Sequence, residues 1–166
     1  MATLIPIPHI LNLLQDDAAR SFSIPALDGS KTLYGTHGEI AISDSFREWG
    51  LAVPSKATPV DRVTMFTLES RASFKDAFLS ISPHLEALTL TQHQISEFLN
   101  ANVKIFRWAE RSLLFLFTER ERYWVALAAF HHGGFVHVSP FPIDYPLSLQ
   151  PDGRYVVVVP DLTFHR

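Results

Sequence analysis

A chain of 166 residues is the size of one ordinary domain and can bury a sizeable core. With 47% hydrophobic and 19% charged residues, it is far from the composition of a disordered chain. A net charge of −3 creates no field that draws a phosphate backbone, so nucleic acid is disfavoured as a partner, and the lack of cysteine excludes disulfides, thiolate metal sites and Cys nucleophiles.

The apolar stretch up to Leu14 has no basic region before it and is interrupted by Pro6, Pro8, His9 and Asn12, which argues against a signal peptide. No apolar run approaches the ~20 residues that span a bilayer. The expected setting is the cytoplasm, with no membrane partner, and without internal repeats the expected organisation is a single domain over residues 1–166.

In chain order, the apolar spacing of Ile10, Leu11, Leu13, Leu14, Ala18 and Ala19 predicts a short helix from about His9 to Arg20. Between Phe22 and Ile42, Asp28-Gly29, Gly35 and Gly38 punctuate short β-favouring runs, which predicts short strands or an irregular hairpin. Ser45 and Glu48 have capping-box spacing and Gly50 suits a C-terminal cap, so a one- or two-turn helix is expected at Ser45 to Trp49. Val53 to Pro59 reads as a loop and Arg62 to Leu68 as a strand, although Thr58-Pro59-Val60-Asp61 also resembles a helix start. Ser73 caps a helix with Phe74, Ala77, Phe78 and Ile81 on one face. A further helix starts at the Thr91/Gln94 capping pair, turns Ile95, Phe98 and Leu99 inward and is expected to stop at Asn100 to Asn102.

Val103 to Trp108, Ser112 to Thr118, Tyr123 to Phe130 and Phe135 to Ser139 are then strand-length runs separated by short polar or Gly-containing connections, which force antiparallel neighbours. A fifth strand, Tyr155 to Val159, follows the Pro151-Asp152-Gly153 turn. The predicted fold class is therefore α+β: an antiparallel β-meander of about five strands over residues 103–159, packed against a few short helices from the N-terminal half. The runs Leu113 to Phe117 and Trp124 to Phe130 are apolar on both faces. Both faces must be covered, by helices, other strands or a second subunit, so a homodimer through the sheet is an expected arrangement.

For chemistry, His131, His132 and His137 cluster around a hairpin, with Asp144 nearby in sequence. Three histidines and a carboxylate suit Zn or Fe. The spacing matches no metal motif and the rings at 131 and 132 point apart, so hairpin-tip and sheet-face histidines are the expectation, with no metal and no cofactor. Neither a Gly-x-Ser-x-Gly elbow nor a phosphate loop occurs, and Gly35 to Gly38 reads as a tight turn rather than an anion clamp. On a strand, Lys104, Phe106 and Trp108 would share one face, as in a stacking platform for single strands, but a core-facing Phe and Trp with a snorkelling Lys accounts for the pattern equally well. The connection 140–154 suggests a functional loop or, preferably, a crossing to a distant sheet edge.

Function follows from what can be assembled. The leading expectation is a non-catalytic protein-binding factor of the inhibitor, immunity or accessory type, as found in bacteria or phage, acting through a sheet face or the 140–154 loop. The ligand- or partner-binding candidates are His131, His132, His137, Phe141, Asp144 and Tyr145. The alternative is a small enzyme or ligand-binding protein whose pocket has His131, His132, His137, Asp144 and Tyr145 near its mouth.

Overall fold

The computed structural model describes residues 11–13, 22–34, 36–108, 110–131 and 134–164. It is a mixed α+β fold built on one large sheet. The strands are β1 (Leu11–Leu13), β2 (Ser23–Ile24), β3 (Thr36–His37), β4 (Ile40–Ile42), β5 (Asp61–Leu68), β6 (Ser112–Glu119), β7 (Arg122–Phe130), β8 (Val136–Pro142) and β9 (Tyr155–Pro160). The helices are α1 (Ser45–Glu48), α2 (Phe74–Leu79) and α3 (Gln92–Trp108), with a 3-10 turn at Leu85–Leu88. Spatial order is β1-β5-β9-β6-β7-β8-β4-β3, and β2 pairs with β5 as well.

The meander is real but shorter than expected. β6, β7 and β8 are antiparallel sequence neighbours, with Leu116 opposite Val125 and Ala128 opposite Val138. β9 does not continue from β8. It crosses over and inserts between β5 and β6, antiparallel to the former and parallel to the latter. The connection after β8 is thus a crossing, as preferred, but it ends inside the sheet rather than at an edge. β4 adds a second parallel pairing, to β8. The sheet is therefore mixed and has more strands than the meander alone would give.

The largest correction falls on residues 103–108, expected as the first meander strand. They continue α3 to Trp108. Val103 and Phe106 prolong the buried stripe of Ile95, Phe98 and Leu99 at spacings of three and four, so helical burial outweighs the strand preference of the local residues. The asparagines that were expected to stop the helix turn back onto it: Asn102 Nδ2 donates to the Phe98 carbonyl at 2.9 Å and Asn100 Nδ2 to Ser96 Oγ at 3.5 Å. Phe106 is buried while Lys104 is exposed, so the one-faced stacking platform does not form.

Other starts and stops follow local chemistry. At α3, Thr91 Oγ1 accepts from Gln94 N–H and Gln94 Oε1 accepts from Thr91 N–H, a complete capping box. Ser73 caps α2 through the Asp76 N–H. At α1 the Ser45/Glu48 pair is not formed, and Ser43 Oγ accepts the Ser45 N–H instead, while Gly50 ends the helix at φ +67°. The expected helix from His9 to Arg20 lies mostly outside the described residues, and its Leu11–Leu13 part is a strand on β5. β8 runs through Pro140 and Pro142, which the sequence placed in a loop. Val136 N–H bonds to Glu39 and the Val138 carbonyl to Ser43, so even-numbered residues of β8 aim their backbone at β4. Beyond the end of β4 the two prolines remove no ladder bond.

Two cores result, one per sheet face. Leu113, Phe115 and Phe117 pack with Ile95, Phe98, Val103 and Phe46 on one face. Leu114, Leu116 and Val157 pack with Phe74, Phe78, Leu88 and Leu149 on the other. Phe98 sits at the middle of an aromatic group, with ring centroids 5.5 Å from Phe22, 5.6 Å from Phe115 and 6.0 Å from Phe106. The chain's own elements therefore pack against both faces of β6 and β7. Among the described residues no helix is long and apolar enough to cross a membrane.

Candidate functional site

β8 separates the candidate residues into two groups. At its start, His131 follows β7 with its ring stacked on Phe135, centroids 5.2 Å apart, and lies edge-on to His137 at 6.1 Å. His137 Nδ1 is 3.1 Å from Ser139 Oγ. His132 lies outside the described residues. His131 borders an open groove of about 430 Å³ with Glu110, Ser112, Arg154 and Tyr155. Among the described residues no three potential metal-ligating side chains of His, Asp or Glu converge.

Phe141, Asp144 and Tyr145 lie toward the other end of β8, with Phe141 roughly 13 Å beyond His137 at the ordinary rise of a strand. No described cavity takes both groups, so the structure brings His131 to His137 and Phe141 to Tyr145 without joining the pairs into one pocket mouth.

The Asp144 end is a corner rich in aromatic rings. Tyr145 packs on Phe141 with centroids 5.0 Å apart, and Phe141 on Phe74 at 5.8 Å, which anchors the corner to the second core. Tyr145 N–H bonds to the Pro142 carbonyl at 3.0 Å and Ile143 N–H to the Tyr123 carbonyl at 3.2 Å, fixing the chain as it leaves the strand. A groove of about 400 Å³ opens there between Arg122, Tyr123, Trp124, Pro142, Ile143 and Asp144. Pro142 is the cross-strand partner of Trp124, whose indole lies 6.0 Å from that of Trp49 and whose Nε1 donates to the Glu119 carbonyl. Trp49 remains 45% exposed and Tyr145 43% exposed, so each ring pair turns one member to solvent.

The β6–β7 turn beside it is strained. Arg120 and Glu121 take φ of +54° and +60°, a region that glycine and asparagine favour in two-residue hairpins. The Arg120 guanidinium lies over Gly50, where a Cβ would come within 2.2 Å of its Nη2. Strain of this kind persists where surrounding contacts hold it, and it recurs at functional edges.

Sequence reasoning missed Trp49, Arg122 and Trp124 as site residues, because only the turn of α1 against the start of β7 makes them neighbours. It also missed a third groove, of about 290 Å³, between the loop before β5, the start of α3 and the end of β6. The start of α3 is densely bonded around it. Gln92 Oε1 accepts the Leu33 N–H at 3.0 Å while its Nε2 donates to the Leu51 carbonyl, and buried His93 accepts the Gly29 N–H on Nδ1 at 3.1 Å.

Comparison with known proteins adds no relative: no family model, no curated protein and no solved structure matches this chain.

Proposed function

We propose that this chain is a non-catalytic protein-binding factor that docks its partner through the corner formed by Trp49, Arg122, Trp124, Asp144 and Tyr145, and that it does so in the cytoplasm. The observation that carries the reading is the two ring pairs at this end of β7 and β8, Trp49 on Trp124 and Tyr145 on Phe141, each with one exposed ring, beside the groove that Arg122, Trp124 and Asp144 line. Trp, Tyr and Arg dominate binding hot spots, because a large rigid ring buries much area at little entropic cost and a guanidinium pairs in a fixed fork. Of the two surfaces expected to bind, the sheet face is occupied by the protein's own helices, whereas the corner at the start of the 140–154 connection is accessible. Its backbone is already fixed by the bonds at Ile143 and Tyr145, which limits the ordering cost of association.

The test is site-specific photocrosslinking in the native cell. A photoreactive phenylalanine at position 145, and separately at 122, should capture the same single protein, and Trp49→Ala should weaken that capture at least about tenfold, as for a hot-spot residue. The same probe at Lys104, exposed on α3, should not capture it. Equal capture from all three positions, or none from 145 and 122, would overturn the proposal.

A further inference from the structure

The groove of about 430 Å³ beside His131 lies at the end of the sheet away from the aromatic corner, where β6 and β9 begin side by side and β7 ends. Ser112 and Tyr155 are register partners in that parallel pair, so their side chains leave on one face. The Ser112 N–H donates to the Arg154 carbonyl at 2.6 Å, which fixes the two strand starts to each other. Neither hydroxyl is hydrogen-bonded among the described residues and neither oxygen is enclosed, so both are open to an incoming group. Phe130 and Tyr155 add half-buried rings to the lining.

Glu110 and Arg154 bring opposite charges to this lining without pairing with each other. Among the described residues Glu110 forms no ion pair. Arg154 is held in place by Asp152, whose Oδ2 lies 3.4 Å from its Nε and whose Oδ1 accepts its backbone N–H at 3.0 Å. The two terminal guanidinium nitrogens are left for a ligand. Glu110 sits where local preference opposes it. The Arg111 N–H bonds back to the Phe106 carbonyl at 3.2 Å and Glu110 takes φ +51°, the closure in which helices end on glycine. A carboxylate there also stands at the negative end of the α3 dipole, so the place attracts a cation. An exposed glutamate kept against both its backbone and the dipole, on the wall of a groove, points to a side chain retained for what it binds.

A plain anion is repelled by Glu110 and a plain cation by Arg154, whereas a molecule that carries both charges satisfies both. We propose that this groove binds a small zwitterion of amino-acid to dipeptide size, with its ammonium group on Glu110, its carboxylate on Arg154 and the Ser112 and Tyr155 hydroxyls, and an apolar side chain against the rings of Phe130 and Tyr155. The volume lies within the range of small-ligand pockets. The site stands apart from the protein-binding reading and neither depends on the other.

The test is protein-observed NMR of the full chain against phenylalanine, leucine, leucyl-leucine and inorganic phosphate. At least one of the three zwitterions should bind with a Kd of about 1 mM or tighter and move the backbone amide resonances of Ser112 and Tyr155, and phosphate should not bind. A free amino acid and a dipeptide tell the two ligand sizes apart. Acetylating the amine of the binder, or amidating its carboxylate, should each weaken binding at least about tenfold, since each removes one of the two charges. Glu110→Gly, which suits the backbone at that position, and Arg154→Gln, at an exposed side chain, should each stay folded and lose binding to the same extent. No binder among the zwitterions, a binder that leaves the Ser112 and Tyr155 amides unmoved, a capped form or phosphate that binds equally well, or equal binding by either folded variant would each overturn the assignment. Should one variant not fold, the capped ligands on the wild-type chain decide.

Discussion

Gly29 and Gly153 have nearly the same backbone conformation, φ +81° and +78°, but opposite surroundings. A Cβ at 153 meets nothing within 4 Å, whereas at 29 it would lie 2.3 Å from the Ser55 carbonyl oxygen and 2.4 Å from that of Lys56. Alanine at either position incurs left-handed strain of about 1–2 kcal/mol, less about 0.4–1 kcal/mol from the lost freedom of the unfolded chain, so Gly153→Ala should cost about 1 kcal/mol. At 29 a backbone segment must also move by about an ångström to reach ordinary contact. That strains the Ser55 N–H bond to the Gly29 carbonyl at 2.9 Å and the Gly29 N–H bond to His93 at 3.1 Å. Each is worth about 0.5–1.5 kcal/mol, and the clash adds to them, so Gly29→Ala should cost about 3–5 kcal/mol in total. For a chain of this length the melting temperature should fall by about 2–4 °C for Gly153→Ala and by about 8–15 °C for Gly29→Ala. Urea unfolding followed by tryptophan fluorescence measures both. A Gly29→Ala protein within about 1 kcal/mol of Gly153→Ala would refute the claim that the 28–30 turn is wedged against residues 55 and 56.

Three further outcomes are expected. Glu121→Gly should raise stability by about 0.5–1 kcal/mol in urea unfolding, because glycine takes the positive φ without strain; lowered stability would show that the Glu121 side chain holds the turn. Phe98→Ala should cost about 3–5 kcal/mol by the same assay, since it empties the middle of the aromatic group on the α3 face, and a loss under about 1 kcal/mol would contradict that packing. Asp161 accepts from the Thr163 hydroxyl at 2.7 Å and the Thr163 N–H at 2.9 Å, and these bonds, the hydroxyl first, hold its carboxyl below the ordinary value of 3.8. A depressed folded value means that the contribution is present above pH 3.8 and lost as pH falls through the folded value. Asp161→Ala should therefore be less stable than wild type at neutral pH, with the difference shrinking in acid, and a gap that widens there would reverse the assignment.

Features that depend on neighbouring residues were legible in the chain. The Thr91/Gln94 capping box, the Ser73 cap, the β6–β7–β8 hairpins and the two-sided apolarity of β6 and β7 follow from spacing and side-chain type, and each stands in the structure. The remainder depended on long-range packing. Residues 103–108 are β-favouring by composition yet helical, because Val103 and Phe106 gain more from joining the stripe that α3 lays on the sheet than from a strand pairing. β9 is a run of valines that fits any buried strand position, and its place between β5 and β6 depends on partners about 90 and 40 residues away, which no local pattern encodes. The candidate sites share that long-range character. Trp49 meets Trp124, and Gln94 comes to line one groove with Asp61 and Glu119, only when distant segments are folded onto one another. Periodicity records which side of an element is apolar, but the choice of which apolar side meets which is made by the packing of the whole chain.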